Sequence, residues 1–232
     1  MKVARSTLRA ALAIVSGCAK QGHGRQVMFR LHGLYAITDG PRPDLESAVH
    51  SALIGGARVV QYRDKTRDHG QRSREAAQLA TACAKFGVPL IINDDVDLAL
   101  ECGAAGVHLG MDDVGIETAR KRLGRDAIIG ISCYDSLQRA RQMAALGANY
   151  VAFGAFYASS TKPGARCAGL ELLRDSADLG IPRVAIGGIT PDNAQSLIDA
   201  GADSVAVVSA LFGTADIESA ARSLSNLFSP LK

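Results

Sequence analysis

The sequence predicts a single-domain (β/α)8 barrel of the α/β class, and three observations support this. Short apolar runs recur about every 20 to 30 residues, each is followed by a helix-like segment, and several units repeat a Gly-Ala pair before the run, as in GGARVVQY and AGADSVAVV. A chain of 232 residues that is 47% hydrophobic can bury a large core, and barrels of this length commonly form one domain. A doubly wound open sheet is the alternative.

The apolar runs are the predicted strands. They begin near residues 34, 59, 89, 106, 127, 150, 183 and 204, and they read LYAITD, VVQYRD, PLIIND, GVHLG, AIIGISC, YVAFGAF, RVAIGG and SVAVVSAL. The segments between them place alanine and leucine at helical spacing and end at glycine, as in LESAVHSALIGG and SLQRARQMAALGA. This pattern predicts eight strand–helix units.

Residues 1–30 lie outside this pattern and are predicted to be a disordered N-terminal extension, ahead of a catalytic barrel over residues 31–232. Lys2, Arg5 and Arg9 precede a short apolar run that leads to Cys18, which superficially suggests a secretory signal with a lipid-accepting cysteine. The other interpretation is a frayed arm, or a translation start placed too far upstream, since Met28 lies just before the first strand. No later segment has 18 uninterrupted apolar residues, so no membrane partner is expected.

The charge and the cysteines narrow the class of partner and the compartment. The 26 basic and 23 acidic residues give a net charge of +3, and no basic run is interleaved with aromatics, so nucleic acid is not an expected partner. The five cysteines show no CxxC pair or metal-ligand spacing. This usage predicts a reducing, cytoplasmic location. A homo-oligomeric state is left open.

The second strand raises the first functional question. In VVQYRDK, alternation places Gln61, Arg63 and Lys65 on one face and Val60 and Tyr62 on the other. Unpaired charge is costly to bury. The cationic face is therefore either salt-bridged or an anion-binding site.

Polar residues also follow the other strands, and the carboxyl ends of barrel strands converge on one rim. The residues at these ends are Asn93, Asp94, Asp95, Met111, Asp112, Asp113, Ser132, Gly187, Gly188, Val208, Ser209 and Ala210, together with the loop YASSTKPGARCAG after strand 6. The sequence thus predicts a rim that combines cations, carboxylates, hydroxyls and exposed backbone.

The carboxylates on this rim allow two interpretations. Asp94 and Asp113 could neutralise Arg63 and Lys65 in an ion-pair network. Alternatively, they could hold Mg²⁺, which proteins usually bind through one or two carboxylates together with substrate phosphate oxygens. The two cations would then neutralise a bound diphosphate, and Asn93 could add an amide donor.

A second anion site is predicted after strands 7 and 8. Gly187 and Gly188 would let backbone amides approach a phosphate, and AVVSA can start a short helix whose N-terminus favours negative charge. A tight turn would explain the glycines equally well.

The long loop from Ser159 to Gly164 is either a binding lid or a solvated surface loop. In the first case Lys162 would follow a leaving diphosphate.

The motifs LYAITD, VQYRDK, INDDVDLAL, GVHLGMDD, GISCYDS, STKPGA, AIGGITPDNA and SVAVVSAL, in this order, resemble the thiamine phosphate synthase family from about residue 31 to the end. The resemblance implies that 4-amino-2-methyl-5-hydroxymethylpyrimidine diphosphate is joined to 4-methyl-5-(2-phosphoethyl)thiazole. It further implies release of pyrophosphate, dependence on Mg²⁺, and these two phosphorylated small molecules as the partners.

The resemblance also implies individual roles. Gln61 would contact the pyrimidine, and Asp94 and Asp113 would bind the magnesium ion. The residues implied for the diphosphate are Arg63, Lys65, Asn93, Ser132 and Lys162, and all of these except Asn93 are predicted to be catalytic. The residues implied for the thiazole phosphate are Ser159, Thr161, Gly188, Val208 and Ser209.

The sequence departs from the family pattern at a few positions. Met111 stands where the family commonly has glutamine, Ala155 and Ala158 stand where prolines are frequent, and Ser159 replaces a usual threonine. These changes bear on rate and affinity more than on the existence of activity. His108 is interpreted as a structural histidine and Cys133 as a small packing residue.

Two alternatives remain for the function. A barrel that tautomerises a thiazole carboxylate phosphate would share the phosphate site after strands 7 and 8 but would need no diphosphate or metal cluster. The other is a non-catalytic barrel that binds thiamine precursors, with the metal site disabled by Met111.

Overall fold

The fold is a closed barrel of eight parallel strands, seen in a computed structural model that describes residues 30–158 and 168–228. Neighbours in sequence are neighbours in the barrel, and β8 pairs with β1 to close it. The strands are β1 (Gly33–Ile37), β2 (Val59–Tyr62), β3 (Leu90–Asn93), β4 (Gly106–Leu109), β5 (Ile128–Tyr134), β6 (Tyr150–Phe153), β7 (Arg183–Ile186) and β8 (Ser204–Val207). The predicted fold class is confirmed, and each predicted start lies within one residue of the observed one.

Helices follow the strands around the outside of the barrel. Those of the described residues are α1 (Leu45–Ile54), α2 (His69–Phe86), α3 (Val96–Cys102), α4 (Ile116–Leu123), α5 (Leu137–Ala145), α6 (Glu171–Asp175), α7 (Pro191–Asp199), α8 (Ser209–Phe212) and α9 (Ile217–Ser225), with a 3₁₀ turn at Ala177–Leu179. Asp68, Asp95 and Ser136 accept hydrogen bonds from backbone amides of the first turns of α2, α3 and α5. These side chains satisfy amides that have no partner within the helix, which fixes where each helix begins.

Two apolar cores lie on the two faces of the sheet. The larger core packs strand residues such as Val60, Val107 and Val205 against the helices. The smaller core fills the barrel and includes Val59 and Ile91. Alternate residues of each strand point to opposite faces, so a strand buried on both faces reads as a continuous apolar run.

The extension predicted over residues 1–30 and the signal-like pattern ending at Cys18 lie outside the described residues, except for Arg30. Among the helices of the described ranges, none has both the length and the apolar character needed to cross a membrane.

Candidate active site at the carboxyl ends of the strands

Strand β2 shows the predicted alternation. Val59 lies in the core inside the barrel, and Gln61, 3% exposed, donates from Nε2 to the hydroxyl of Tyr35 over 2.8 Å. Val60 and Tyr62 belong to the core outside the sheet. The amide predicted to contact the pyrimidine is thus inside the barrel, near its carboxyl-terminal end.

The two predicted cations lie just beyond β2, on a turn that is held from both sides. Thr38 accepts the backbone amide of Arg63 at 2.8 Å and donates to its carbonyl oxygen at 3.1 Å. Asp64, which is buried, accepts the amide of Thr66 at 2.7 Å. Arg63 is partly buried and Lys65 is exposed. Within the described residues neither forms an ion pair, so both charges remain available for an anion.

The two predicted metal ligands come together above β3 and β4. Asp94 has a positive φ of 63°, which is uncommon for a residue with a side chain and is often found at functional sites. Its Oδ2 accepts from Asn93 Nδ2 at 2.6 Å, while Asp113 Oδ2 accepts from the amide of Gly110 at 2.6 Å. By contrast, Asp95 caps α3 and pairs with Arg72 at 2.9 Å, so it has a structural role.

Asp94 and Asp113 interact directly with each other. Burial and then the hydrogen bond and charge of Asp113 raise the pKa of Asp94 to about 6, against smaller lowering effects of Lys65 and Asn93. No ion pair among the described residues joins either carboxylate to Arg63 or Lys65, which disfavours the ion-pair network considered from the sequence. In the same ranges there is no group of three or more His, Cys, Asp or Glu that could hold a metal ion.

A buried polar network below this rim was not predicted from the sequence. The hydroxyls of Tyr35 and Tyr150 are 2.7 Å apart, and His108 contacts Tyr150 through Nδ1 at 3.1 Å and Ser132 Oγ through Nε2 at 2.9 Å. Burial lowers the pKa of His108 to about 4, so the ring is neutral at pH 7. Both ring nitrogens are satisfied, in agreement with the structural interpretation of this histidine.

The segment that carries Ser132 is also fixed from outside. Arg139 on α5 donates through Nε to the carbonyl oxygen of Ser132 at 2.9 Å and through a terminal nitrogen to that of Gly110 at 3.3 Å. Cys133 is fully buried, which confirms that it is a packing residue, and burial raises its thiol pKa to about 12. One side chain therefore ties the carboxyl-terminal part of β5 to the residue that follows β4.

The rim after β7 and β8 is formed mainly by backbone. Gly187 and Gly188 have φ of 104° and 63°, and a Cβ on Gly188 would lie 2.5 Å from the carbonyl oxygen of Ala158. The glycine pair is therefore required by the turn itself, whether or not a phosphate binds there. Val208 precedes the short helix α8, which begins at Ser209 as the sequence suggested.

The loop after β6 is described as far as Ala158 and again from Ala168. Tyr157 donates from its amide to the carbonyl oxygen of Gly187 at 3.1 Å and from its hydroxyl to that of Asn193 at 3.1 Å, so the loop leaves β6 beside the glycine turn. Ser159, Thr161 and Lys162, which were predicted to bind substrate, lie outside the described residues.

The closed barrel and the position of its polar rim define the class of this protein: a (β/α)8 barrel whose candidate site occupies the place where enzymes of this fold bind their substrates. Residues 34–211 match a family model described as thiamine monophosphate synthase. The chain therefore belongs to the thiamine monophosphate synthase family, which confirms the resemblance seen in the motifs.

Individual relatives agree with this assignment. The chain is 51% identical over 201 residues to the thiamine-phosphate synthase of Chromobacterium violaceum, covering 86% of this chain and 97% of the relative. It is 54% identical over 200 residues to that of Thiobacillus denitrificans, covering 84% and 94%. Among solved structures, a thiamine phosphate pyrophosphorylase from Pyrococcus furiosus is similar, with a TM-score of 0.77, 34% identity, and coverage of 85% of this chain and 96% of that one.

Proposed function

We propose that the protein transfers the pyrimidinylmethyl group of 4-amino-2-methyl-5-hydroxymethylpyrimidine diphosphate to the ring nitrogen of 4-methyl-5-(2-phosphoethyl)thiazole. The bond from the exocyclic methylene carbon to the diphosphate oxygen breaks, a carbon–nitrogen bond forms, and thiamine monophosphate and pyrophosphate leave. The observation that carries this proposal is that two kinds of charged group occur at the same rim. Arg63 and Lys65 form no ion pair within the described residues, and the carboxylates Asp94 and Asp113 lie next to each other.

Mg²⁺ fits this donor set. Asp94 and Asp113 are hard oxygen ligands, and burial, followed by the hydrogen bond and charge of Asp113, raises the pKa of Asp94. A bound divalent cation would offset the cost of keeping both buried carboxylates charged. These two residues would hold the ion, which would supply neutralising charge to the leaving diphosphate. Dependence on Mg²⁺ is accordingly part of the proposal.

The diphosphate would be held by groups from several strands. Arg63 can donate hydrogen bonds to two phosphate oxygens at once, and Lys65 adds a compact positive charge. The remaining residues assigned to it are Asn93, Ser132 and Lys162. Because the leaving group gains charge as its bond breaks, cations and donors fixed in place stabilise the transition state more than the bound substrate.

The ring and the second substrate occupy the rest of the rim. Gln61, buried inside the barrel, faces the pyrimidine in this proposal. The thiazole phosphate would bind at the glycine turn and at the start of α8, through Gly188, Val208 and Ser209, with Ser159 and Thr161 adding hydroxyls. This arrangement would place the two reacting groups side by side, and such positioning lowers the barrier of a two-substrate reaction.

The chemistry requires no strong base from the protein. If pyrophosphate leaves first, the electron-rich aminopyrimidine stabilises the resulting cation, and the thiazole nitrogen attacks with its own lone pair. What the protein must supply is charge stabilisation, alignment and exclusion of water. This agrees with a site in which the one buried histidine of the described residues, His108, is neutral at pH 7.

A pyrophosphate-release assay tests the proposal. Wild-type protein is incubated with both substrates, with and without Mg²⁺, and with the thiazole phosphate omitted as the control. We expect release only when both substrates and the metal are present. Absence of metal-dependent release would refute it: a non-catalytic barrel would bind the precursors without turnover, and a tautomerase-like barrel would instead convert a thiazole carboxylate phosphate. The cytoplasmic location stays a prediction, and a homo-oligomeric state stays open.

A further inference from the structure

Five side chains form a continuous hydrogen-bonded chain across the inside of the barrel. It runs from Gln61 on β2 through Tyr35 on β1, Tyr150 on β6 and His108 on β4 to Ser132 on β5. The four contacts measure 2.8, 2.7, 3.1 and 2.9 Å. The two ends of this relay chain are the groups that the proposed function assigns to the two halves of one substrate, the pyrimidine and its diphosphate.

Each contact of the relay chain has a direction, because each group holds a limited number of protons. A tyrosine or serine hydroxyl donates one hydrogen bond, and a neutral imidazole has one donor and one acceptor nitrogen. His108 is buried, and its ring nitrogens face two uncharged hydroxyls, so the neutral ring is the form that this environment favours. The direction of one contact therefore constrains the next.

An anion at Ser132 fixes all of these directions. A phosphate oxygen only accepts, so Ser132 must donate its proton outward and accept from Nε2–H of His108. Nδ1 of His108 is then an acceptor, and the hydroxyl of Tyr150 must donate to it. Tyr150 has thereby used its proton and accepts from Tyr35.

The same reasoning continues to the other end of the relay chain. The proton of Tyr35 is used toward Tyr150, so Tyr35 accepts from the amide nitrogen of Gln61. The carboxamide oxygen of Gln61 is consequently not used by Tyr35. That oxygen suits an exocyclic amino group, which donates hydrogen bonds.

We propose that His108 is a positioning residue whose Nε2–H tautomer directs the proton of Ser132 toward the diphosphate and, through the two tyrosines, presents the carboxamide oxygen of Gln61 to the aminopyrimidine. The proposal rests on the proposed function. In the opposite polarity, the serine oxygen would present lone pairs to the phosphate and Gln61 would present its NH₂ to an amino group. Both contacts would then be mismatched, so the relay chain couples recognition of the leaving group to recognition of the ring.

Imidazole ¹⁵N NMR reads this polarity without turnover. Protein labelled with ¹⁵N-histidine is measured with inorganic pyrophosphate and Mg²⁺, and the His108 signals are identified by their loss in His108→Gln. We expect a pyrrole-type Nε2 and a pyridine-type Nδ1. A pyrrole-type Nδ1, or failure of the wild-type protein to bind magnesium pyrophosphate, overturns the proposal.

Gln61→Glu tests whether polarity passes along the relay chain. An ionised carboxylate can only accept from Tyr35, which should reverse every contact and give the Nδ1–H tautomer at His108. The ¹³C signal of the introduced carboxyl shows the pH at which it is ionised. Gln61→Met is the matched control, because it removes the end group without reversing Tyr35 and should keep Nε2–H. An unchanged tautomer in folded Gln61→Glu contradicts the proposal.

The double variant Tyr35→Phe/Gln61→Glu separates polarity from charge. It keeps the introduced carboxylate but cuts the relay chain, so Nε2–H should return and magnesium pyrophosphate should bind about tenfold more tightly than in Gln61→Glu alone. Equal affinities would overturn the proposal. Wild-type protein with Nε2–H but no pyrophosphate release would contradict the proposed function alone, whereas release together with Nδ1–H would contradict only the relay chain.

Discussion

The two halves of the barrel rim are built differently. After β2 to β5 the candidate site consists of side chains, namely two cations on the turn held by Thr38, and carboxylates and a serine that are hydrogen-bonded to their neighbours. After β7 and β8 it consists of backbone, with two glycines at positive φ and the start of a short helix. The first half can recognise a group by charge and by proton position, while the second offers shape and amide direction.

This difference predicts how each half of the rim responds to a substitution. Changing a side chain on the first half should remove an interaction and leave the barrel intact, because the strands are held by the two apolar cores. Changing a glycine on the second half should alter the backbone, so binding and stability should fall together. Each of the following substitutions tests one side of that contrast.

The largest effect is expected for Asp94→Ala. It removes one of two adjacent carboxylates, so we expect turnover to fall about a thousandfold, or about 4 kcal/mol in the activation free energy, with no loss of folded structure by circular dichroism. Steady-state kinetics across a Mg²⁺ series measures it. Asp112→Ala, an exposed neighbour, is the control and should stay near wild type. Equal losses in both variants would place the site elsewhere.

The next effect concerns the free energy of unfolding at acid pH, to which the buried His108 below the first half of the rim contributes. The pKa of His108 is lowered from its ordinary value of 6.5 to about 4, so the unfolded chain takes up a proton in this window before the folded one does. Stability is therefore lost as the pH falls from about 6.5 to about 4, by about 3 kcal/mol at most.

Denaturant unfolding of wild type and His108→Gln at several pH values measures this contribution. The difference between their free energies of unfolding should shrink on acidification. A difference that is independent of pH would contradict a buried, neutral His108.

Gly188→Ala tests the backbone half. A side chain at φ 63° is strained, and its Cβ would lie 2.5 Å from the carbonyl oxygen of Ala158, so we expect a loss of about 2 kcal/mol in stability. The apparent KM for the thiazole phosphate should rise more than kcat falls. Gly115→Ala is the control, since a Cβ there has no neighbour within 4 Å. If the Gly188→Ala variant is destabilised but has a normal KM for the thiazole phosphate, this turn does not contribute to phosphate binding.

The smallest effect is expected for Met111→Gln on the side-chain half. Met111 is 58% exposed, so the change should leave the free energy of unfolding within about 0.5 kcal/mol. Introducing the glutamine that the family resemblance implies at this position should lower the Mg²⁺ concentration for half-maximal activity a few-fold. An unchanged metal dependence would show that this position does not influence the metal site.

Much of the fold and part of the site could be predicted from the sequence. The strands were located because each is a short apolar run, and the rim residues followed from the rule that strand ends converge. Asp94 and Asp113 were correctly expected to lie together, since β3 and β4 are adjacent both in sequence and in the barrel.

The interior polar network could not be predicted in the same way. Tyr35 and Tyr150 are 115 residues apart, and His108 is 42 residues from Tyr150, so their contact depends on the register of the closed barrel. The one available signal was a polar side chain at an inward position of a strand, which Gln61 and His108 share. Sequence patterns report which face a residue occupies but not which distant side chain it meets there.

Closure of the barrel has a consequence for biosynthesis. The last strand pairs with the first, and Ser204 donates to the carbonyl oxygen of Gly33 across 171 residues. A nascent chain that has left the ribosome only as far as β7 therefore exposes two open sheet edges, at β1 and β7, which can pair with other chains. The risk of aggregation is thus greatest in the interval before β8 emerges. Chaperones that cover open sheet edges would have their largest effect in that interval.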